Sequence, residues 1–385
     1  MPPRVAILAP VPVPYREPLF GNLARRGRVD PHVIYLSARQ PGWDQPAGWF
    51  PISHDYPSQL LPAWQRSRVG RSPVILPLGV ARTLSAAAPD CVVSWEYGPA
   101  TMRALAWAPR RCLPVLVFSE LTPWSDAALS PLRRRVHRLL APRADGFIVA
   151  SSQGVERLRA LGVDPERVEV ALQSADLSGI VAAARASGQD AGRPVRILTV
   201  GRLVPDKDLD VLIDASAEAG FADGEAELEI RGAGPLEAEL RARAKRLGVP
   251  VLFRGPASPG ELGAVYAAAD VLALVSSYEP FGVTLREGAA AGLPLIASRR
   301  AGAVGDVAVE GENALVIEPG DRGQIAAALR RLVREPDLRG RLSAGSRAVT
   351  ARHPLEADVE AWERAVLQAV GRARPRGARL SERQH

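Results

Sequence analysis

Glu279 and Glu287 bracket the segment EPFGVTLRE, with seven residues between them. Upstream, Val271 to Val275 is an unbroken apolar run of strand length. Ser276, Ser277 and Tyr278 follow as a polar loop, Pro280 and Gly282 punctuate a turn, and Val283 to Ala291 has helix composition. A buried strand, a tight turn and a helix make half of a parallel βαβ unit. The start of such a helix leaves N–H groups unpaired, here at Phe281, Gly282, Val283 and Thr284, and they attract a phosphate or diphosphate. Gly282 has no side chain to block that approach. Glu287 lies about 6 Å along the helix axis from Val283, at ~1.5 Å per residue. A carboxylate there repels phosphate but suits neighbouring hydroxyls such as those of a ribose. The pair therefore reads as a grip on a nucleotide sugar, with a sugar on each side of a diphosphate. The same two residues also fit a helix-forming glutamate and a solvated loop glutamate, and the pair alone does not choose.

The elements that would position these residues alternate along the whole chain. The first half reads as strands at Arg4 to Ala9, Pro31 to Leu36, Cys91 to Ser94, Val115 to Phe118, Gly146 to Ala150 and Val168 to Ala171, with helices between. Residues 38 to 73 read as one long loop carrying Trp43, Trp49 and Trp64, and Leu76 to Ala87 as a helix. The composition shift at Ala182 to Pro194 marks a linker. The second half restarts with strands at Val195 to Val200, Leu228 to Gly232, Val251 to Arg254, Val271 to Val275, Leu295 to Ala297 and Ala314 to Ile317. The expected fold is α/β, with two doubly wound Rossmann-like domains facing each other across a cleft. Residues 1–185 form the first domain and 192–352 the second. Helices over 355–372 cross back onto the first, and 373–385 is a basic, disordered tail. Ligand loops belong at the carboxyl ends of the strands. In the first domain this singles out Tyr15 and Arg16 after the first strand, Glu96 in WEYGPA, and Glu120 after the fourth; each also fits an ordinary surface or core role.

Composition narrows the function classes. The chain has 385 residues, 47% hydrophobic, and a net charge of +7. The last fifteen residues hold five arginines against one glutamate, so the body is only mildly basic, which weakens a nucleic-acid reading. The two cysteines, Cys91 and Cys112, form neither a disulfide framework nor a metal motif, and no window is apolar enough for a transmembrane helix. A cytoplasmic chain is expected. The helix PLRRRVHRLLAPR sets Arg133, Arg134, Arg135 and Arg138 beside Val136, Leu139 and Leu140; it suits a solvated face or an anionic membrane surface at the inner membrane face.

Several pieces, in order, resemble glycosyltransferase family 4, retaining enzymes of the GT-B fold. They are Gly201-Arg202-Leu203 with Lys207, Arg231-Gly232-Ala233-Gly234-Pro235, Phe253-Arg254-Gly255, and Glu279-Pro280-Phe281-Gly282 through Glu287. The resemblance implies that Arg202 and Lys207 face the diphosphate and take up charge on the leaving group, so that neither metal nor cofactor is needed. It implies Glu279 beside the donor sugar, Glu287 on the ribose, and Gly201, Gly234, Arg254, Phe281, Gly282, Val283 and Thr284 around the donor. The donor would be a nucleoside-diphosphate sugar, UDP by the family's habit, and the acceptor a carbohydrate, a lipid carrier or a natural product. The first half matches mainly in layout. Where many members carry a glycine pair, this chain has Pro12-Val13-Pro14-Tyr15-Arg16, and where many carry a histidine it has Ser119-Glu120.

Other classes remain at this level. A sugar-nucleotide epimerase or a phosphorylase would use the same architecture, though no pyridoxal lysine motif is evident. A nicotinamide dehydrogenase wants a Gly-x-Gly-x-x-Gly turn, which Gly232 and Gly234 do not complete. A binding-only protein would dock through the basic tail and the Arg133 helix.

Overall fold

The protein is described by a computed structural model covering residues 1–39, 49–50, 53–68, 71–186, 192–221 and 224–373, with 66–68 and 71–74 as backbone. Trp43, residues 187–191 of the expected linker and the tail beyond residue 373 lie outside the described residues. The chain divides into two compact units. The first comprises Met1–Trp43, Phe50–Ala175 and Leu355–His385, and the second the remainder, chiefly Asp176–Pro354.

In the first unit, β1 (Arg4–Ala9), α1 (Glu17–Arg26), β2 (Asp30–Tyr35), β3 (Ser58–Leu60), β4 (Ala63–Arg68), β5 (Arg71–Pro77), α2 (Val80–Ala87) and β6 (Cys91–Trp95) come first. Then follow α3 (Pro99–Trp107), β7 (Val115–Ser119), α4 (Pro123–Ala127), α5 (Pro131–Leu140), β8 (Gly146–Val149), α6 (Ser152–Ala160) and β9 (Val168–Val170). Seven strands form a parallel sheet in the order β3-β2-β1-β6-β7-β8-β9. Its central strands β6, β7 and β8 are buried along their whole length, which is why they read as apolar runs without alternation.

One expectation changes here. The stretch read as one loop contains β3 and the antiparallel hairpin β4–β5, whose Leu76 belongs to a strand rather than to the following helix. Arginine and proline in these short strands mask the strand pattern; Trp64 stays half exposed and Trp49 is partly buried. On α5, His137 is the buried residue, while Leu132 and Leu139 are exposed. The reason lies on α6. Arg157, 2% exposed, donates from Nε to Asp126 Oδ1 at 2.8 Å and from Nη2 to His137 Nδ1 at 2.9 Å. Burial and the Arg157 charge push the imidazole down to about 4, keeping it the neutral acceptor that a buried guanidinium needs.

The C-terminal helix Leu355–Arg372 belongs to this unit. Its Trp362, fully buried, stacks on Phe118 with centroids 5.5 Å apart and meets Trp95 at 5.8 Å and Phe20 edge-on at 6.2 Å. Burying so large a ring contributes about 2–3 kcal/mol and anchors the helix under β6 and β7.

The second unit holds α7 (Ser178–Ala186), β10 (Val195–Val200), α8 (Leu209–Glu218), β11 (Ala226–Arg231), α9 (Glu237–Leu247), β12 (Val251–Arg254), α10 (Leu262–Ala267) and β13 (Val271–Leu274). It continues with α11 (Val283–Ala290), β14 (Leu295–Ser298), β15 (Ala314–Ile317), α12 (Arg322–Arg334) and α13 (Pro336–Arg352). The sheet is parallel, ordered β12-β11-β10-β13-β14-β15, over its own apolar core. The division of the chain falls at Ala175, earlier than the linker placed from composition. The alanine-rich segment 182–186 continues α7, which packs on α10: a side-chain atom added at Gly263 would stand 3.0 Å from the Gly179 carbonyl.

Candidate functional site

The order of the second sheet sets β10 beside β13. Their carboxyl ends therefore deliver two segments far apart in sequence to one place. β10 runs into Gly201, Arg202 and a short turn at Pro205–Lys207; β13 runs into the loop before α11. Lys207 Nζ donates to Glu279 Oε2, an ion pair whose side chains are 18% and 14% exposed. Beside it lies a small recess lined by Thr199, Gly201, Arg202, Lys207 and Ser276, among others. Ser276 Oγ is buried at this wall with no hydrogen-bond partner among the described residues.

Gly282 is the cap of α11 and has φ +98, a left-handed conformation in which a side chain would also press on Leu274 at 3.0 Å. The bare cap leaves the Val283 and Thr284 N–H groups at the open end of the helix. Phe281 is buried, and its carbonyl accepts from Ala303 N at 2.8 Å. Gly302 fits only because it lacks a side chain, which would stand 1.9 Å from the Pro280 carbonyl; its N–H binds Glu279 O at 3.2 Å. The segment after β14 thus fastens the Glu279–Gly282 turn from behind.

One turn into α11, Glu287 Oε2 accepts from Tyr266 OH at 2.5 Å. Burial raises the Glu287 carboxyl above the usual range, and the tyrosine hydrogen bond works the other way. Tyr266, on α10, is fully buried and carries no sequence signal for this role.

Two donor-side candidates have a different explanation. Gly234 is required by packing, since a Cβ would lie 2.3 Å from the Leu203 carbonyl, and Gly232 would meet Gly201 O at 1.8 Å. These glycines let the turn after β11 close on the turn after β10, with Leu203 N bound to Ala233 O at 2.9 Å. Arg254 is exposed at the end of β12 and is not among the pocket's lining residues.

At the carboxyl edge of the first sheet the four candidates come together as well. Arg16, 7% exposed, donates from Nη2 to Glu120 Oε1 at 2.9 Å and lies over the rings of Trp95 at 4.5 Å and Tyr15 at 5.3 Å. The same carboxylate oxygen accepts from Gln173 Nε2 at 3.1 Å and from Trp95 Nε1 at 3.4 Å. Glu96 turns inward with φ +50 and accepts from Glu120 N at 2.6 Å and Ser119 Oγ at 2.9 Å. Burial pushes its carboxyl up to about 7. Gln173 and Trp95 carry no sequence signal for these roles, which depend on the pairing of β6 with β7 for Trp95 and of β7, β8 and β9 in turn for Gln173.

Among the described residues no three His, Cys, Asp or Glu side chains cluster as a metal site, and no helix is long and apolar enough to cross a membrane.

Residues 182–349 match the family model for glycosyl transferases group 1, and residues 12–171 match that for the glycosyl transferase 4-like domain. The chain belongs to the family 4 glycosyltransferases. Its fold is accordingly the two-domain Rossmann-like fold of the GT-B type. Among relatives, the D-inositol 3-phosphate glycosyltransferase of Corynebacterium glutamicum is 33% identical over 210 residues, 50% of each chain. The sulfoquinovosyl transferase of Arabidopsis thaliana is 26% identical over 64% of this chain and 50% of that protein. The chain spans about half the length of the curated relatives it matches. Among solved structures, the Anabaena protein HepE, in complex with UDP and glucose, superposes with a TM-score of 0.73 at 19% identity, covering 96% of this chain and 99% of that one. Sucrose-phosphate synthase of Thermosynechococcus elongatus gives 0.75 at 20% identity with the same coverage. At such identities the likeness concerns the fold.

Proposed function

We propose that the chain is a retaining glycosyltransferase that moves a sugar from a nucleoside-diphosphate sugar, UDP-linked by preference, to a hydroxyl acceptor without a metal ion. The observation that carries this reading is the meeting of Lys207 and Glu279 beside a pocket that also takes in Arg202, next to the bare end of α11. The diphosphate binds at that helix end, and Arg202 and Lys207 stabilise the charge that grows as the bond from the anomeric carbon to the diphosphate breaks. The new bond to the acceptor oxygen forms on the same face, and the acceptor hydroxyl gives its proton to the departing diphosphate oxygen. Glu279 orients the donor sugar, and Glu287, steadied by Tyr266, takes the ribose hydroxyls. The complexes of HepE with UDP support the choice of base. The relatives' names favour a carbohydrate or polyol acceptor, with a lipid carrier or natural product as the wider class.

The test is a panel of UDP-, GDP- and TDP-sugars with the full chain, reading binding by calorimetry and product by nucleotide release. Saturable binding of one base, weakened in Glu287→Ala, is expected; binding of none, or unchanged binding in that variant, overturns the proposal. An epimerase would instead return the nucleotide sugar with altered stereochemistry and release no nucleotide.

Contact with an anionic membrane at the cytoplasmic face is the second part of the reading. The exposed Leu132 and Leu139 stand on α5 among Arg133, Arg134, Arg135 and Arg138, none with a carboxylate within 4 Å among the described residues. Apolar anchors beside cations suit an interfacial helix. The chain should float with vesicles containing phosphatidylglycerol but not with neutral ones. Leu132→Ser/Leu139→Ser should weaken flotation, and flotation indifferent to these changes would reassign it to the tail.

A further inference from the structure

The turn that carries Lys207 is fastened to the Glu279 loop at three consecutive positions. The Asp206 carbonyl accepts from Ser277 N at 3.1 Å and Tyr278 N at 3.4 Å. Lys207 Nζ reaches Glu279. Ser277 Oγ donates to Asp208 Oδ1 at 2.9 Å. Asp208 also adopts φ +48, a left-handed conformation that L residues rarely take and in which aspartate is among the better tolerated. Its backbone serves both as the end of the Pro205–Lys207 turn and as the cap of α8, so a change there re-aims the residue before it.

That residue is one of only two lysines; all but Lys207 and Lys245 of the 49 basic residues are arginines. An ammonium on a flexible four-carbon stem has no planar fork to fix its direction. Its aim must come from the backbone that carries it. Neither Asp208 nor Ser277 is among the residues lining the pocket.

We infer that Asp208 and Ser277 are positioning residues. Their hydrogen bond clamps the 206–208 turn against the 277–279 loop and holds the Lys207 ammonium in register with Glu279. On the reading proposed above, this keeps Lys207 aimed at the diphosphate when a donor competes with Glu279 for it. The clamp itself does not depend on that reading, because the geometry of Lys207 can be followed without turnover.

Two readouts on the full chain test it. The first is acylation of Lys207 by an amine-reactive ester, followed by mass spectrometry, with exposed Lys245 as internal standard. The second is UDP release from UDP-glucose. Ser277→Ala and Asp208→Gly should raise Lys207 labelling relative to Lys245 by about fivefold, the population change that loss of one ordinary hydrogen bond allows. Glycine accepts the left-handed backbone, so Asp208→Gly removes the side chain without straining the turn. The same variants should lower kcat about tenfold with donor KM within about twofold, as a misaimed group does. Ser277→Thr, which keeps the hydroxyl, should restore both. Unchanged labelling in both variants overturns the clamp, and so does a labelling increase that merely tracks a fall in Tm. A parent chain that releases no UDP from any donor, while labelling still responds, overturns the functional reading and leaves the clamp standing.

Discussion

The carboxyl edges of the two sheets carry the same residue classes, an acid and a cation on loops after buried strands, yet use them differently. In the first unit the charge is enclosed. Arg16 is buried against Trp95, and a single oxygen of Glu120 receives donors from Arg16, Trp95 and Gln173. Glu96 spends both oxygens on the Ser119–Glu120 corner. In the second unit Lys207 and Glu279 hold one another beside a small recess, lined by Arg202 and by a Ser276 hydroxyl with no partner among the described residues. The first arrangement uses the Glu120 oxygen on three protein donors; in the second, on the function proposed above, a donor would compete with Glu279 for Lys207. The lesson is that acid–cation pairs at a strand end acquire meaning from what else competes for their hydrogen bonds.

The contrast can be broken by substitution. Lys207→Ala should have the largest effect, lowering kcat on the order of a hundredfold or more, the cost of one lost transition-state contact of about 3 kcal/mol, with Tm unchanged. A loss of Tm with retained turnover would move Lys207 into the structural class. Glu120→Ala should do the opposite and destabilise the fold by about 2–3 kcal/mol, because it strands the buried Arg16 cation. Denaturant unfolding measures this, and an undiminished midpoint would show the first edge to be less rigid than its hydrogen bonds suggest. Glu287→Ala should raise donor KM roughly thirtyfold, as expected for a hydrogen bond to a charged group worth about 2 kcal/mol. The smallest effect is a pH dependence. The Glu96 carboxyl rises from its ordinary 4.5 to about 7. Between those values the folded state holds a proton that the unfolded chain releases, so the contribution to stability is full below the lower value and is lost as pH rises through the upper. Glu96→Gln should therefore gain on the parent as pH climbs from 4.5 to 7. A Tm difference flat across that window would remove Glu96 from the buried network.

Much of the carboxyl edge of the second sheet could be read from sequence because its signals are local. The apolar run of β13, the left-handed Gly282 and the spacing to Glu287 lie within one strand–turn–helix, where backbone geometry alone sets their relations. The glycines at 232 and 234 were legible as a turn, but their purpose was not. They serve a close approach to Gly201 and Leu203, and only paired strands reveal that. On the basic helix, the burial of His137 likewise depends on Arg157 from another helix, while Leu132 and Leu139 stay exposed.

The sequence by itself determined the alternation of strand and helix, the two Rossmann-like domains and the identity of the acids and cations, since burial of apolar runs and turn chemistry act over a few residues. Tertiary structure decided which of those groups meet. Lys207 finds Glu279, Asp208 finds Ser277, Tyr266 finds Glu287 and Trp362 finds Trp95. Each pairing joins positions far apart in the chain, and strand order and helix packing, which no local pattern encodes, bring them within reach.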